Sequence, residues 1–262
     1  MELVVAGMRI YAATGGRPFD PALPTVAFVH GAGMDHTVWT LQTRWFAHHG
    51  RNALAFDLPG HGRSQGTALA RIDAMADFLD AALEATGAKR AAIVGHSMGA
   101  LVALETAHRH PGRVRALALL GAAMRMPVHP KLLEAARHDD PSAVAMIADW
   151  AFGRRAQLGG ARAPGTWMVG GGTRLLERAR SGVLANDLAA CDAYDGAGEA
   201  AKAVRCPTLA VLGAADRMTP ASGGRALADA IPGGRHVTIG NAGHMAMIEA
   251  PDETLAALAE AC

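Results

Sequence analysis

The sequence predicts an α/β domain: a mostly parallel sheet of eight strands, helices on both faces, and a helical insertion late in the chain. Three observations predict it. Short apolar runs at 25–29, 53–56, 91–94, 114–120, 208–212 and 236–239 have the length of buried strands, and most end in Gly or Asp, where turns begin. Helical patterns lie between them, at 72–85, 98–110, 225–230 and 254–260, and such alternation calls for a parallel sheet covered on both sides. The residues before Thr25 read as an antiparallel opening hairpin, which brings the strand count to eight.

The alternation lapses between about 124 and 204. Helical pieces occur there at 131–137, 142–152 and 173–188, but no strand. The stretch carries Met124, Met126, Met146, Trp150, Phe152, Trp167 and Met168, and glycines punctuate its middle. We read a core domain of residues 1–123 and 205–262, with residues 124–204 inserted over the sheet.

Composition narrows the function classes. Half of the 262 residues are hydrophobic and 19% are charged, enough for a large core. The formal net charge of +1 offers no field for nucleic acid or an anionic membrane. No apolar stretch reaches the length of a membrane span. Cys191, Cys206 and Cys262 form neither an even disulfide set nor a zinc spacing, so reduced thiols and a cytoplasmic location are expected. The first ten residues lack the basic start and apolar run of a signal peptide.

The chemistry starts at Gly95-His96-Ser97-Met98-Gly99. With 31 glycines and five serines in the chain, such a pentapeptide arises by chance about 0.07 times, so its context carries the weight. A strand runs into it and a helix leaves it. A serine on so sharp a turn is pushed out of the sheet edge and needs small neighbours, which the two glycines supply. A serine hydroxyl needs a base, and the base needs a carboxylate to orient it. His244 lies in a loop just after the run 236–239, whereas His236 lies inside that run and reads as structural. Asp216 follows the run 208–212, while the preceding strand ends in Gly121-Ala122-Ala123, without an acid. Ser97, His244 and Asp216 are therefore the expected nucleophile, base and acid. The loop His30-Gly31-Ala32-Gly33 brings backbone amides to a strand end, as an oxyanion site requires. Ala32 and Met98 are the expected amide donors, with Gly33 as the alternative to Ala32. His30 reads as a structural hydrogen-bonding residue.

The order Ser97, Asp216, His244, with His30 to Gly33, the loop Asp57-Leu58-Pro59-Gly60-His61-Gly62-Arg63-Ser64, and Gly243-His244 followed by Glu249-Ala250-Pro251, resembles the α/β-hydrolase superfamily over nearly the whole chain. The resemblance implies the α/β-hydrolase fold, with the insertion as a cap that lines the pocket, and a 57–64 loop that buttresses the site without taking part in the chemistry. It also implies an acyl-enzyme reaction that needs no metal or organic cofactor. A serine nucleophile disfavours dehalogenase and epoxide hydrolase chemistry, which use aspartate there. The expected reaction is hydrolysis of a small, hydrophobic carboxylic ester by a monomer or homodimer. A carbon–carbon bond hydrolase, a lactonase, an acyltransferase and a receptor-like ligand-binding member use the same triad and stay open. Gly31, Gly33, Trp150, Trp167 and Met245 are the expected substrate contacts.

Overall fold

The structure is a computed structural model that describes residues 1–161 and 165–262. One sheet contains β1 (Glu2–Val5), β2 (Met8–Ala13), β3 (Thr25–Val29), β4 (Asn52–Phe56), β5 (Ala91–His96), β6 (Val114–Leu120), β7 (Thr208–Gly213) and β8 (Arg235–Ile239), in the order β1-β2-β4-β3-β5-β6-β7-β8. β1 pairs antiparallel with β2, as does β2 with β4, and every later pairing is parallel.

Parallel neighbours need long crossovers, and helices provide them. α1 (Thr40–His48) links β3 to β4, α2 (Ile72–Thr86) links β4 to β5, and α3 (Met98–Arg109) links β5 to β6. Between β6 and β7 lie α4 (Pro130–Arg137), α5 (Pro141–Ala151), α6 (Arg154–Gln157), α7 (Met168–Glu177), α8 (Val183–Ala193) and α9 (Ala197–Ala203). α10 (Ala221–Ala230) precedes β8, and α11 (Ala246–Glu249) and α12 (Pro251–Ala261) end the chain. None of the described helices is long and apolar enough to cross a membrane.

The strands separate two core layers by their period of two. Ala27, Val29, Leu54, Phe56 and Ile93 pack in one layer with Leu79 and Leu83 of α2 and Leu101 and Leu104 of α3. Val26, Phe28, Ala53, Ala55, Ala92 and Val94 face the other way, toward Phe46 of α1 and Leu258 of α12. The order of connection reverses at β3: β4 lies on one side of it and β5 on the other. A crevice opens at the carboxyl ends of strands at such a reversal, and ligands bind there in open α/β sheets.

Two details differ from the sequence reading. His236 is exposed, because β8 is the last strand of the sheet and pairs only with β7. The helical pattern 173–188 divides into α7 and α8. Gly182, at φ 76°, starts α8 from the left-handed region, and Asp139 accepts hydrogen bonds from Ser181 Oγ (2.5 Å) and the Gly182 amide (3.1 Å) at the break. α4, α5, α7 and α8 pack on one another, whereas α9 packs on α3 and α10.

At the end of β4, Asp57 clasps two loops. Its carboxylate accepts from the His36 amide (2.7 Å), His36 Nδ1 (2.9 Å) and the Arg63 amide (2.8 Å). Burial alone would raise its pKa, but the His36 ring and these amides outweigh that and hold it below the ordinary 3.8. A depressed carboxyl pKa stabilises the fold above the unfolded value, and this stabilisation is lost as pH falls through the folded value. Asp57→Asn should therefore cost about 1–3 kcal/mol at neutral pH. In urea titrations repeated across acid pH, the variant's stability should fall less steeply than wild type below about pH 4. An unchanged acid slope would assign the dependence to other carboxyls.

Candidate active site

Ser97 joins β5 to α3 at φ 53° and ψ −117°, a conformation that L residues avoid. Its amide donates to Leu120 O of the neighbouring strand (2.8 Å), and its carbonyl accepts from the Ala100 amide (2.9 Å). The turn is so tight that a Cβ on Gly95 would come within 2.1 Å of Gly99 O, and one on Gly99 within 2.3 Å of Val29 O. The two glycines are thus a steric requirement of the serine's position.

Asp216 follows β7 and His244 follows β8, and the structure brings them together. His244 Nδ1 donates to Asp216 Oδ2 at 2.9 Å, with both side chains buried. Asp216 also accepts from the amides of Met218 and Thr219 (2.8 Å each) and from Thr219 Oγ1 (2.8 Å). Burial works against the Asp216 charge, yet His244 and the Thr219 donors hold its pKa below the ordinary carboxylate value. An ionised Asp216 can only accept, which puts the ring proton on Nδ1 and leaves the lone pair on Nε2. The His244 backbone is fixed by its amide, which donates to Ala151 O of α5 (2.7 Å). Glu249 bridges the same junction, accepting from the Gly153 (2.8 Å) and Gly243 (2.9 Å) amides.

The loop after β3 lies against the serine. A Cβ on Gly31 would sit 3.3 Å from Ser97 Cβ. The Gly33 amide, one of the two donors left open by the sequence, is committed to Asp187 Oδ2 at 2.9 Å. Met98 opens α3, so its amide has no partner within the helix. His30 is buried and structural: Leu58 N donates to its Nε2 (3.2 Å), and its Nδ1 donates to Gly31 O (2.9 Å). Burial, reinforced by the neighbouring His61, pushes its pKa down to about 4 and keeps it neutral. His61 behaves oppositely. Its Nδ1 faces Pro59 O (3.0 Å) and its Nε2 faces Asp187 Oδ2 (2.8 Å). Burial alone would lower its pKa, but Asp187 and the Pro59 carbonyl outweigh that and raise it.

Ser97 and His244 border a cavity of about 400 Å³. The core side adds Ala32, Met34, Met218 and Thr219, while residues 124–204 add Met126, Val128, Leu132, Ile147, Trp150, Leu188 and Cys191. Arg217 and His129 are its charged and titratable edge. Of the expected substrate contacts, Trp150 lines this cavity. Trp167 does not: it is 68% exposed, because it precedes the first turn of α7 and folds over Gly170. Met245 is 1% exposed and packs in the core layer of α1 and α12. Gly33 borders a separate polar cleft with Arg178 and Arg180. Gly31 lies behind the serine, against the His96 ring.

Asp35, His36 and Asp57 lie close enough for their donor atoms to share a metal ion. Those atoms already serve the protein, however: Asp57 holds His36 and the Arg63 amide, and Asp35 holds the amide and hydroxyl of Thr37. The cluster is explained as a loop clasp. Sequence reasoning passed over Thr219 and Asp187 and named Glu249 only as part of a motif, without a role. Thr219 was findable, three residues after the acid in the same loop; Asp187 sits inside a helix with no motif around it.

Comparison with known proteins agrees with this architecture. A sequence profile of the Alpha/beta hydrolase family matches residues 26–258. The chain is 30% identical over 251 residues to the pimeloyl-[acyl-carrier protein] methyl ester esterase of Chromobacterium violaceum, covering 90% of this chain and 93% of that protein. It is 30% identical over 244 residues to the putative carbamate hydrolase RutD of Klebsiella pneumoniae, covering 86% and 85%. The enol-lactonase from Burkholderia xenovorans LB400 superposes with a TM-score of 0.87 at 23% identity, over 99% of this chain and 98% of that one. With a mostly parallel eight-stranded sheet and a profile match across most of its length, the chain belongs to the α/β-hydrolase family.

Proposed function

We propose that the protein is a serine hydrolase that cleaves a small carboxylic ester with an apolar acyl group, through an acyl-enzyme on Ser97. The observation that carries this reading is the strained Ser97 turn facing the same cavity as the His244–Asp216 pair. The relatives that are hydrolases of ester and carbamate bonds support the reaction class.

The His244–Asp216 hydrogen bond supports the following steps. His244 Nε2 takes the proton of Ser97 Oγ as that oxygen attacks the ester carbonyl carbon. The carbonyl oxygen gains negative charge and is met by the amides of Ala32 and Met98; Gly33 is not counted, since Asp187 holds its amide. The tetrahedral intermediate collapses as His244 returns the proton to the leaving alcohol. Water then attacks the acyl-enzyme and gives a proton to His244, and the second tetrahedral intermediate collapses as His244 returns that proton to Ser97 Oγ and the acid is released. Asp216 stays ionised throughout and stabilises the transient imidazolium. Residues 124–204 act as a cap whose Leu132, Ile147 and Leu188 hold the acyl chain by apolar burial.

Ser97→Ala should lower kcat/KM for p-nitrophenyl esters about 10³-fold or more with the far-UV circular dichroism unchanged, and should abolish labelling by a fluorophosphonate. Ester turnover near the wild-type rate in that variant would remove Ser97 from the mechanism. Trp150 and Trp167 give a second test, because one lines the cavity and the other does not. Trp150→Ala should shift the preference toward longer acyl chains by about tenfold, as expected for room gained in an apolar pocket. Trp167→Ala should leave the chain-length profile where it was. Equal shifts in both variants would place the acyl chain elsewhere.

A further inference from the structure

α8 carries one buried stripe: Leu184, Asp187, Leu188 and Cys191. Its apolar members Leu188 and Cys191 line the cavity beside Ser97. Leu184 presses on the loop after β3, where a Cβ on Gly33 would come within 2.9 Å of Leu184 Cδ1. Gly33 has φ 65°, so glycine there allows both the turn and the close approach of α8. Between these contacts a carboxylate is fully buried, at 0% exposure. Its Oδ2 accepts from two donors of the core: the Gly33 amide at 2.9 Å and His61 Nε2 at 2.8 Å.

This arrangement is costly unless it does something specific. A buried carboxylate loses its hydration and needs full compensation. Attachment of α8 to the core does not require it, because Asn186 Nδ2 donates to Leu69 O (2.9 Å) and Arg180 Nη2, just before α8, donates to Ser64 O (2.7 Å). What the carboxylate adds is a hold on the loop's backbone at Gly33 and on the His61 ring. Gly33 is the residue after Ala32, whose amide is the proposed oxyanion donor. The Ala32 and Gly33 peptide planes share the Ala32 Cα, so holding the Gly33 amide restricts the φ and ψ through which the Ala32 amide can turn.

We propose that Asp187 is a positioning residue for the oxyanion site: it anchors the Gly33 amide and the His61 ring on one carboxylate oxygen, and so aims the Ala32 amide at the ester oxygen. The proposal rests on the serine-hydrolase reading. It makes α8 a shared element, with one end of its stripe forming the acyl wall and the other setting the oxyanion donor. Asparagine replaces the acid poorly, since its neutral carboxamide oxygen can still accept from the Gly33 amide but lacks the charge that favours a His61 ring donating to both this residue and the Pro59 carbonyl.

The test compares wild type, Asp187→Asn, Asp187→Ala and Ser97→Ala below the lowest melting temperature. Active sites are counted by fluorophosphonate labelling taken to completion. The readouts are hydrolysis of p-nitrophenyl butyrate, the rate of Ser97 labelling, and inhibition by a trifluoromethyl ketone, whose hemiketal oxyanion occupies the same amides. Both Asp187 variants should lose about 100-fold in kcat per active site with KM changed by less than about threefold, the pattern of a lost oxyanion contact. Ketone affinity and labelling rate should fall with kcat. A lowered melting temperature with kcat per site, labelling and ketone affinity all within about threefold of wild type would overturn the proposal and leave Asp187 a purely structural ion partner. Full activity in Ser97→Ala would instead overturn the serine reading, whatever the Asp187 variants do.

Discussion

The backbone of Ser97 is the constraint on which the site depends. A non-glycine residue at φ 53° and ψ −117° costs about 1–3 kcal/mol, and it persists only where the surroundings over-determine it. Here they do. β5 is an interior strand whose every residue is buried, and α3 is buried continuously from Met98 to Ala107. Neither element can rotate to relax the turn without exposing its own apolar surface. The amide and carbonyl of Ser97 are both taken, by Leu120 O and by the first turn of α3. The stability of the two-layer core is thereby converted into a fixed direction for one hydroxyl.

The loops around that serine are held by buried carboxylates in place of regular secondary structure. Asp57, Asp187 and Asp216 each pair with an imidazole, of His36, His61 and His244 respectively, and each also accepts from backbone amides. Glu249 has no imidazole. It accepts amides from Gly153 and Gly243, and burial raises its pKa in spite of them. The pairs differ in what their second ring nitrogen meets. That of His61 is spent on the Pro59 carbonyl, whereas His244 turns toward the cavity that Ser97 borders. His61, with both ring nitrogens facing acceptors, is thereby a clasp, whereas the proposed base His244 borders the cavity beside Ser97.

The fold was legible in the sequence because strand burial writes itself as short apolar runs, and the crossovers as helical periodicity. The candidate triad was legible because Ser97, Asp216 and His244 each follow the end of such a run. What was hidden depends on contacts between distant segments. Asp187 lies 154 residues from Gly33 and 126 from His61, inside a helix whose own pattern gives no sign of a polar duty. The two tryptophans show the same limit. Trp150 and Trp167 look alike in a Met- and Trp-rich stretch, but their fates are set by how α5 and the start of α7 pack, and only Trp150 reaches the cavity. The break at Gly182 needs Asp139 to satisfy it, 43 residues away, so the pattern 173–188 reads as one helix.

These placements bear on where substrate preference can change. The wall of the cavity that carries Ser97 and His244 comes from strand ends held by the sheet, and it has little freedom. The opposite wall comes from α4, α5 and α8, but these are not equivalent. Leu132, Ile147 and Trp150 of α4 and α5 line the cavity. Leu188 and Cys191 share their helix with Leu184 and Asp187, which hold that loop. On the proposed role of Asp187, a side chain of new size on α8 is expected to disturb the Gly33 amide that this helix holds. One on α4 or α5 alters the room for the acyl chain alone. On this reasoning, changes in acyl preference that keep turnover belong on α4 and α5, and changes on α8 alter preference and turnover together.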